Sequence, residues 1–194
     1  MLPKLNFAAL RSVSLDYVCS ALNRLCRFQG RTPFFYSVLQ HSYYVSVVAE
    51  ENGFDTIVQL AALFHDFSEV VIGDWHGGVK KQLNSVFNIS AVEQRIVEEF
   101  LKTFCGSKFF KEYSKRKAEI LESIEICDKF LVAKELETFN LVEFFAKKSD
   151  PYRKYRNALQ TSITVKREKS VKKMFLRRYK KLLAQFLLET KIKG

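Results

Sequence analysis

The sequence predicts an all-α protein, and three observations carry that prediction. Glycine and proline, the residues that most often interrupt helices, are scarce, with 7 glycines and 3 prolines in 194 residues. Apolar residues recur at spacings of three and four along most of the chain, which is the period of one helix face. No segment shows the strict apolar–polar alternation of a half-buried strand. Apolar residues make up 47% of the chain and include 18 phenylalanines, so we expect a helical bundle around a single core.

The first part of the chain is predicted to form three helices joined by short loops. Ser14 suits the N-cap of the first helix, and Gly30 lies in the loop that follows it. Pro33 suits the first turn of the second helix because proline needs no hydrogen-bond partner there. One face of the second helix then carries Phe34, Val38, His41, Val45 and Val48. The predicted helices are Ser14–Leu25, Pro33–Glu50 and Thr56–Ile72.

The second part is predicted to form three more helices. The stretch GDWHGG, residues 73–78, breaks the third helix. The next helices are predicted over residues 90–104 and 110–147, and the last is Val171–Leu188. An apolar stripe on the last helix consists of Val171, Phe175, Leu182 and Phe186. Helical periodicity leaves open whether this stripe packs within the subunit or between subunits.

The net charge of +11 is unevenly distributed and suggests how the chain is organised. Residues 151–194 carry 14 Lys/Arg and 2 Asp/Glu, whereas residues 1–150 carry 18 Lys/Arg and 19 Asp/Glu. We expect one domain over residues 1–150 and a basic helical extension over residues 151–194, packed on the same domain. The extension is either a solvated helix face or a surface for phosphates, nucleic acid or an acidic partner.

Composition also bounds the compartment. The sequence contains no run of 18 or more apolar residues, so we expect no transmembrane helix. Residues 1–18 lack the features of a signal peptide. The four cysteines form no CxxC pair, which is typical of neither a zinc knuckle nor a disulfide framework. The expected location is the cytoplasm, or the host cytoplasm if the protein is viral.

Ionisable side chains inside apolar runs point to chemistry. In ALFHDFSEVVIGDW, residues 62–75, His65 and Glu69 have the i, i+4 spacing of one helix face, and Asp66 precedes Glu69 by three. Asp128 lies in the apolar stretch IEICDKFLVAKE, residues 124–135. Burying a carboxylate without a partner costs on the order of several kcal/mol. We therefore expect these residues to have partners.

A divalent cation is a suitable partner for two imidazoles and two carboxylates. Helix bundles build such sites from inward side chains on facing helices. Mixed nitrogen and oxygen ligands suit Zn²⁺, Mn²⁺, Fe²⁺, Co²⁺ or Ni²⁺ and do not select one of them. The spacing therefore suggests a ligand set on three helices: His41, His65, Asp66 and Asp128.

This order of residues resembles the HD-domain metal-dependent phosphohydrolases. The stretch HDFSEVVIGDWHGGVK, residues 65–80, is similar to the HDxxExxxGDxxxxxK motif of the 5′-deoxynucleotidase branch, and SAVEQRIV, residues 90–97, is similar to the helix that follows there. Upstream, CRFQGRTPFFYSVLQHS, residues 26–42, resembles a block found in a group of phage and bacterial members that includes phage-encoded dATP triphosphohydrolases. The resemblance covers about residues 14–140.

The resemblance implies an all-α HD-domain fold and a metal-dependent active site. Its metal ligands would be His41, His65, Asp66 and Asp128, holding a cation that could be Zn, Mn, Co, Mg, Fe or Ni. Glu69 would handle a metal-activated water. Asp74 would serve as a second acid or base, or hold water, the alternative being that it caps the following turn.

The same resemblance implies the substrate contacts and the reaction. Arg27 and Lys80 would bind phosphate, and Phe28 would stack on the base. The expected reaction converts a dNTP, with dATP favoured, to deoxynucleoside plus triphosphate, and the alternative is a 5′-nucleotidase acting on dNMPs. A further alternative is a nucleic-acid-binding or regulatory HD module, which the basic extension favours. Because members of the family commonly form homo-oligomers, we expect one here.

Overall fold

The computed structural model describes residues 6–75, 77–141 and 163–192, and within these ranges the chain forms helices and no strand. The predicted all-α class is therefore confirmed. A short helical turn covers Arg27–Gly30, and one isolated antiparallel bridge pairs Cys26 with Ser37. The helices are α1 Phe7–Leu10, α2 Leu15–Leu22, α3 Val38–Glu51, α4 Thr56–Leu63, α5 Glu69–Ile72, α6 Gly77–Phe87, α7 Ile89–Lys115, α8 Lys117–Thr138 and α9 Glu168–Ile192.

Helices α3 and α4 lie at the centre of the bundle. Helix α3 packs against α4, α8 and α9, while α4 also contacts α7, α8 and α9. Side chains of these two helices fill the core. Phe64 and Phe67, which follow the end of α4, are also part of the core. A functional group on α3 or just after α4 is therefore held from several sides.

The second helix begins later than Pro33, so the predicted start was wrong. Helix α3 begins at Val38, and the Ser37 hydroxyl caps it by accepting a hydrogen bond from the backbone N–H of Gln40. The preceding residues pair with an earlier segment instead, since Arg27 N–H donates to the carbonyl of Tyr36 over 2.8 Å. Phe34, placed by the sequence on the buried face, is 66% exposed in this irregular segment.

The predicted helix over Thr56–Ile72 is interrupted where its ionisable residues lie. Helix α4 ends at Leu63, a turn covers residues 64–68, and α5 begins at Glu69. Backbone N–H groups in this turn donate three residues back, as in Phe67 to Phe64 and Glu69 to Asp66. The expectation that His65 and Glu69 share one face of a continuous helix was therefore wrong.

Two phenylalanines fix the turn of residues 64–68. Phe64 and Phe67 are fully buried, with ring centroids 4.5 Å apart, and Phe67 stacks on Phe175 of α9 at 5.6 Å. Burying a phenylalanine side chain contributes roughly 1.5–3 kcal/mol. Because these rings hold the two ends of the turn, the residues between them, His65 and Asp66, have little freedom to move.

The helices after the turn also differ from the prediction. Helix α6 was not predicted, and α7 runs through the expected break because Gly106, at φ 84°, allows a kink without ending the helix. The chain breaks instead at Arg116, whose guanidinium contacts Asp55 and Glu119. Helix α8 ends at Thr138, and the remainder of the predicted helix, residues 142–147, lies outside the described residues.

The apolar stripe on α9 packs within the chain. Its residues Val171, Phe175, Leu182 and Phe186 are all buried, and α9 contacts α3 and α4. Arg178 lies on the same stripe and is also buried. Its guanidinium donates 2.7 Å hydrogen bonds to the Ser46 hydroxyl, the Ser46 carbonyl and a Glu50 carboxylate oxygen. Among the described helices, none is long and apolar enough to cross a membrane.

We predict that Arg178→Ala lowers the free energy of unfolding by about 2–4 kcal/mol, because it leaves buried polar groups of Ser46 without their donors. Urea denaturation of both proteins measures the change. The matched control is Arg177→Ala, since Arg177 is exposed on the same helix and should change stability by less than about 0.5 kcal/mol. Equal stability of the two variants would contradict the structural role of Arg178.

Candidate metal centre

Three elements bring the predicted ligands together. His41 comes from α3, His65 and Asp66 from the turn after α4, and Asp128 from α8. His41 Nε2 lies 3.5 Å from Asp66 Oδ2 and 3.0 Å from Asp128 Oδ1. His65 Nε2 lies 3.2 Å from Asp66 Oδ2. Two imidazoles and two carboxylates therefore converge on one small volume.

The chemistry of these atoms fits a cation. Ligand atoms of His41, His65 and Asp66 all lie within 4.8 Å of one another. Asp128 is not part of this mutual set but reaches it through His41. Among the buried atoms without a hydrogen-bond partner are His41 Nε2, His65 Nε2 and Asp128 Oδ1. Buried polar atoms are rarely left unsatisfied, so a divalent cation between them is the simplest partner.

Each histidine is oriented by a bond from its other ring nitrogen. His65 Nδ1–H donates to the carbonyl of Ala62 over 2.8 Å, and His41 Nδ1–H donates to Glu135 Oε1 over 2.6 Å. Such bonds fix the ring and turn Nε2 toward a metal. The bond of His65 also uses a carbonyl at the end of α4, which couples the end of that helix to the site.

Glu135 is a site residue that the sequence analysis missed. Its side chain is fully buried on α8 and accepts hydrogen bonds from three groups. Besides His41, these are the Tyr36 hydroxyl at 2.8 Å and Arg27 Nε at 3.2 Å. A signal existed, because Glu135 follows Asp128 by seven residues, two helical turns, and so shares its face. It was obscured because Glu135 stands in the charged run AKELE, which is typical of a solvated surface.

The charges around His41 act in opposite directions. Burial and Arg27 lower its pKa, but Glu135 and Asp128 outweigh them and raise the pKa to about 9. For Asp66, burial acts to raise the pKa, but His65, His41 and Arg27 hold it well below its ordinary value. A cation bound at His41 Nε2 must therefore displace a proton, which makes metal binding depend on pH.

Arg27 adds a positive charge to the cluster. Its side chain is only 12% exposed and contacts three carboxylates: Asp66 at 3.3 Å, Asp128 at 3.6 Å and Glu135 at 3.2 Å. Its guanidinium carbon also lies 5.3 Å from the ring centroid of Phe28. The structure thus places Arg27 beside the ligand cluster, and its predicted contact with phosphate stays a prediction.

Glu69 lies at the start of α5 and is 5% exposed, with Oε2 among the buried atoms that lack a hydrogen-bond partner. Burial, together with the nearby carboxylates of Asp66 and Asp74, raises its pKa well above the ordinary value for glutamate. Glu69 therefore keeps its proton to a higher pH than an ordinary glutamate does.

Asp74 holds a strained backbone turn. Phe28, Gln29 and Gly30 have positive φ angles of 57°, 49° and 75°, a left-handed conformation that disfavours the first two residues. Asp74 Oδ2 accepts a 3.1 Å hydrogen bond from the Phe28 N–H, and burial raises the Asp74 pKa. Phe28 itself packs against a small apolar cluster that includes Tyr36 and Phe139. Its predicted stacking on a base remains untested.

A cavity of about 220 Å³ adjoins the ligand cluster. Lys80 lines it, with its Nζ 2.6 Å from Glu93 Oε1. The described residues that form its wall combine metal-site, polar and apolar groups, among them His65, Asp66, Ser68, Lys80, Glu93, Gln94, Val97 and Tyr113. Lys80 therefore lines the same cavity as two proposed ligands, His65 and Asp66.

We predict that Glu135→Gln weakens binding of a divalent cation about 10–100-fold, because His41 loses its charged acceptor and is no longer held in one orientation. Isothermal titration with Mn²⁺, Co²⁺ or Zn²⁺ measures the affinity. Glu137→Gln, an exposed position on the same helix, is the matched control and should bind like the wild type. An unchanged affinity in Glu135→Gln would show that His41 does not depend on this carboxylate.

Comparison with known proteins adds no assignment to this geometry. The chain matches no protein-family model and no curated protein. The candidate metal centre therefore rests on the residues and distances described above.

Proposed function

We propose that the protein is a metal-dependent phosphohydrolase of the HD type that acts on deoxynucleotides. The observation that supports this most is the convergence of ligand atoms from His41, His65, Asp66 and Asp128, three of which are buried without a hydrogen bond. These atoms lie 3.0–3.5 Å apart and come from three separate elements, and a cation bound between them would be a common partner for all of them.

A divalent cation bound there would act as a Lewis acid toward a phosphate oxygen and would lower the pKa of a coordinated water. The residues that would hold it are His41, His65, Asp66 and Asp128. The ligand chemistry is compatible with Zn, Mn, Co, Fe or Ni. The resemblance to the HD-domain family adds Mg to these candidates.

Glu69 is the proposed proton acceptor. Its free Oε2 and raised pKa suit a group that accepts a proton from the attacking water and returns it later in the reaction. Glu69 follows Asp66 by three residues. Within the described residues, no hydrogen bond to its Oε2 gives this carboxylate a structural role.

Two basic side chains, Lys80 and Arg27, are proposed to contact the phosphates. Lys80 lines the cavity beside His65 and Asp66, and Arg27 lies against the proposed ligands Asp66 and Asp128. Both side chains would be available to the phosphate oxygens of a nucleotide bound beside the ligand cluster. Arg27 would then exchange part of its bonding from the carboxylates to phosphate, since a guanidinium has five donors.

The substrate proposed first is a dNTP, with dATP favoured, cleaved between the 5′ oxygen and the α-phosphorus to give deoxynucleoside and triphosphate. It rests on the resemblance of residues 26–42 to the group that contains dATP triphosphohydrolases. A 5′-nucleotidase acting on dNMPs would break the same type of P–O bond and release orthophosphate. We further propose that the enzyme works as a homo-oligomer.

We predict that the metal-loaded protein hydrolyses a deoxynucleotide from a panel of dNMPs, dNTPs and NTPs with Mn²⁺, Co²⁺, Mg²⁺ and Zn²⁺. Chromatography of the products identifies the reaction, because triphosphate and orthophosphate separate readily. Asp66→Ala should lose both activity and tight metal binding, whereas the surface variant Asp16→Ala should retain both. Failure of the wild type to release any phosphate product would refute the proposed activity.

We predict different effects for two substitutions of Asp74, based on its hydrogen bond to the Phe28 N–H. Asp74→Asn keeps an oxygen acceptor and should lower kcat/KM by less than about 10-fold. Asp74→Ala loses the acceptor, releases the strained turn beside Arg27 and should lower kcat/KM by well over about 10-fold. If both variants are equally impaired, Asp74 acts instead as an acid or base, as the family resemblance suggested.

A further inference from the structure

The solvent-facing side of α9 carries an uninterrupted row of cations. Lys169, Lys173, Arg177 and Lys180 are all exposed, and their spacings of four, four and three residues place them on one face. We call these four residues the basic face. The buried stripe of Phe175 and its neighbours lies on the opposite side of the same helix, so the basic face points away from the core.

Three other cations of α9 have acidic partners, which separates them from the basic face. Lys172 Nζ lies 2.7 Å from Asp16, and Lys181 Nζ lies 3.3 Å from Glu50. Buried Arg178 also contacts Glu50. Within the part of the chain that the structure describes, no residue of the basic face forms an ion pair. The charges of the basic face are therefore available, while Lys172, Arg178 and Lys181 hold the helix to the bundle.

The basic face is long and shallow rather than a small pocket. At a rise of about 1.5 Å per residue, the distance from Lys169 to Lys180 is roughly 16 Å along the helix. A groove of about 420 Å³ follows it, lined among the described residues by Lys169, Lys172, Lys173, Leu176, Arg177 and Lys180. This lining contains no acidic and no aromatic side chain.

We propose that the basic face binds the phosphate backbone of double-stranded nucleic acid. A row of cations without acidic partners matches a row of phosphates, and each contact releases counterions from the duplex. Proteins that hold single strands usually add aromatic side chains on which bases stack, and the groove has none. The basic face carries no amide or carboxylate that would read base edges, so we expect its contacts to be mainly with phosphates and binding to depend little on sequence.

This inference does not depend on the proposed enzymatic activity. The basic face lies on α9, whereas the ligand cluster is built from α3, α8 and the turn after α4. Asp66→Ala should therefore bind duplex as the wild type does, even if it is inactive. Loss of one property without the other identifies which proposal has failed.

The experiment measures binding of the full chain to a fluorescently labelled DNA duplex by anisotropy. Four phosphate contacts predict that log affinity falls with log salt at a slope of about −3.6, a loss of roughly 150-fold between 50 and 200 mM salt. Replacing the basic face by glutamine, in Lys169→Gln, Lys173→Gln, Arg177→Gln and Lys180→Gln, should weaken binding at least about 10-fold and flatten the slope.

The matched control removes the same charge from other exposed or surface-paired positions on α6 and α7. It combines Lys81→Gln, Lys102→Gln, Lys111→Gln and Lys115→Gln and should bind nearly as the wild type does. If the fourfold variant of the basic face unfolds, the double variants at Lys169 with Lys173 and at Arg177 with Lys180 replace it, each with about half the effect on the slope.

Several results would overturn the proposal. These are equal affinity of the basic-face variant and the wild type, an equal loss in the control, and tighter binding of single-stranded DNA than of duplex. Binding to vesicles that contain anionic lipid, with no binding to duplex, would assign the basic face to a membrane surface instead. Duplex binding that depends on salt and on the basic face supports the proposal.

Discussion

The fully buried carboxylate of Glu135 is the constraint on which the rest of the site depends. Removing such a charge from water costs several kcal/mol. Removing one of its partners would destabilise the fold by about 3–5 kcal/mol. The protein offsets this with donors from α3, from the segment before it and from the Arg27 turn. Because those donors must stay in place, Glu135 fixes the relative positions of α3, α8 and the loop between residues 26 and 37. The imidazole of His41 is oriented as a result.

The sequence predicted those features that depend on local periodicity and neighbours. The all-α class, the N-cap at Ser14 and the apolar stripe of the last helix are confirmed, because each follows from residues close together in the chain, whereas periodicity left open what the stripe packs against. The proximity of His41, His65 and Asp66 was inferred from the cost of burying charge, and these residues do lie together.

The features that sequence did not predict depend on distant contacts. Helix α3 starts at Val38 because residues 25–27 pair with the segment before it, and no local pattern near Pro33 records that pairing. The chain leaves α4 at Leu63 because Phe64 and Phe67 pack on helices far along the sequence. Glu135 looks like a surface residue until its partners from three other elements surround it.

The left-handed turn at Phe28 and Gln29 has a consequence for how ligands bind. Two residues other than glycine in this conformation cost roughly 1–2 kcal/mol each, and the folded protein retains them through Asp74 and the surrounding packing. That conformational cost is met during folding. A ligand that contacts Arg27 therefore finds a backbone already ordered and loses little affinity to entropy, which is the thermodynamic advantage of preorganisation.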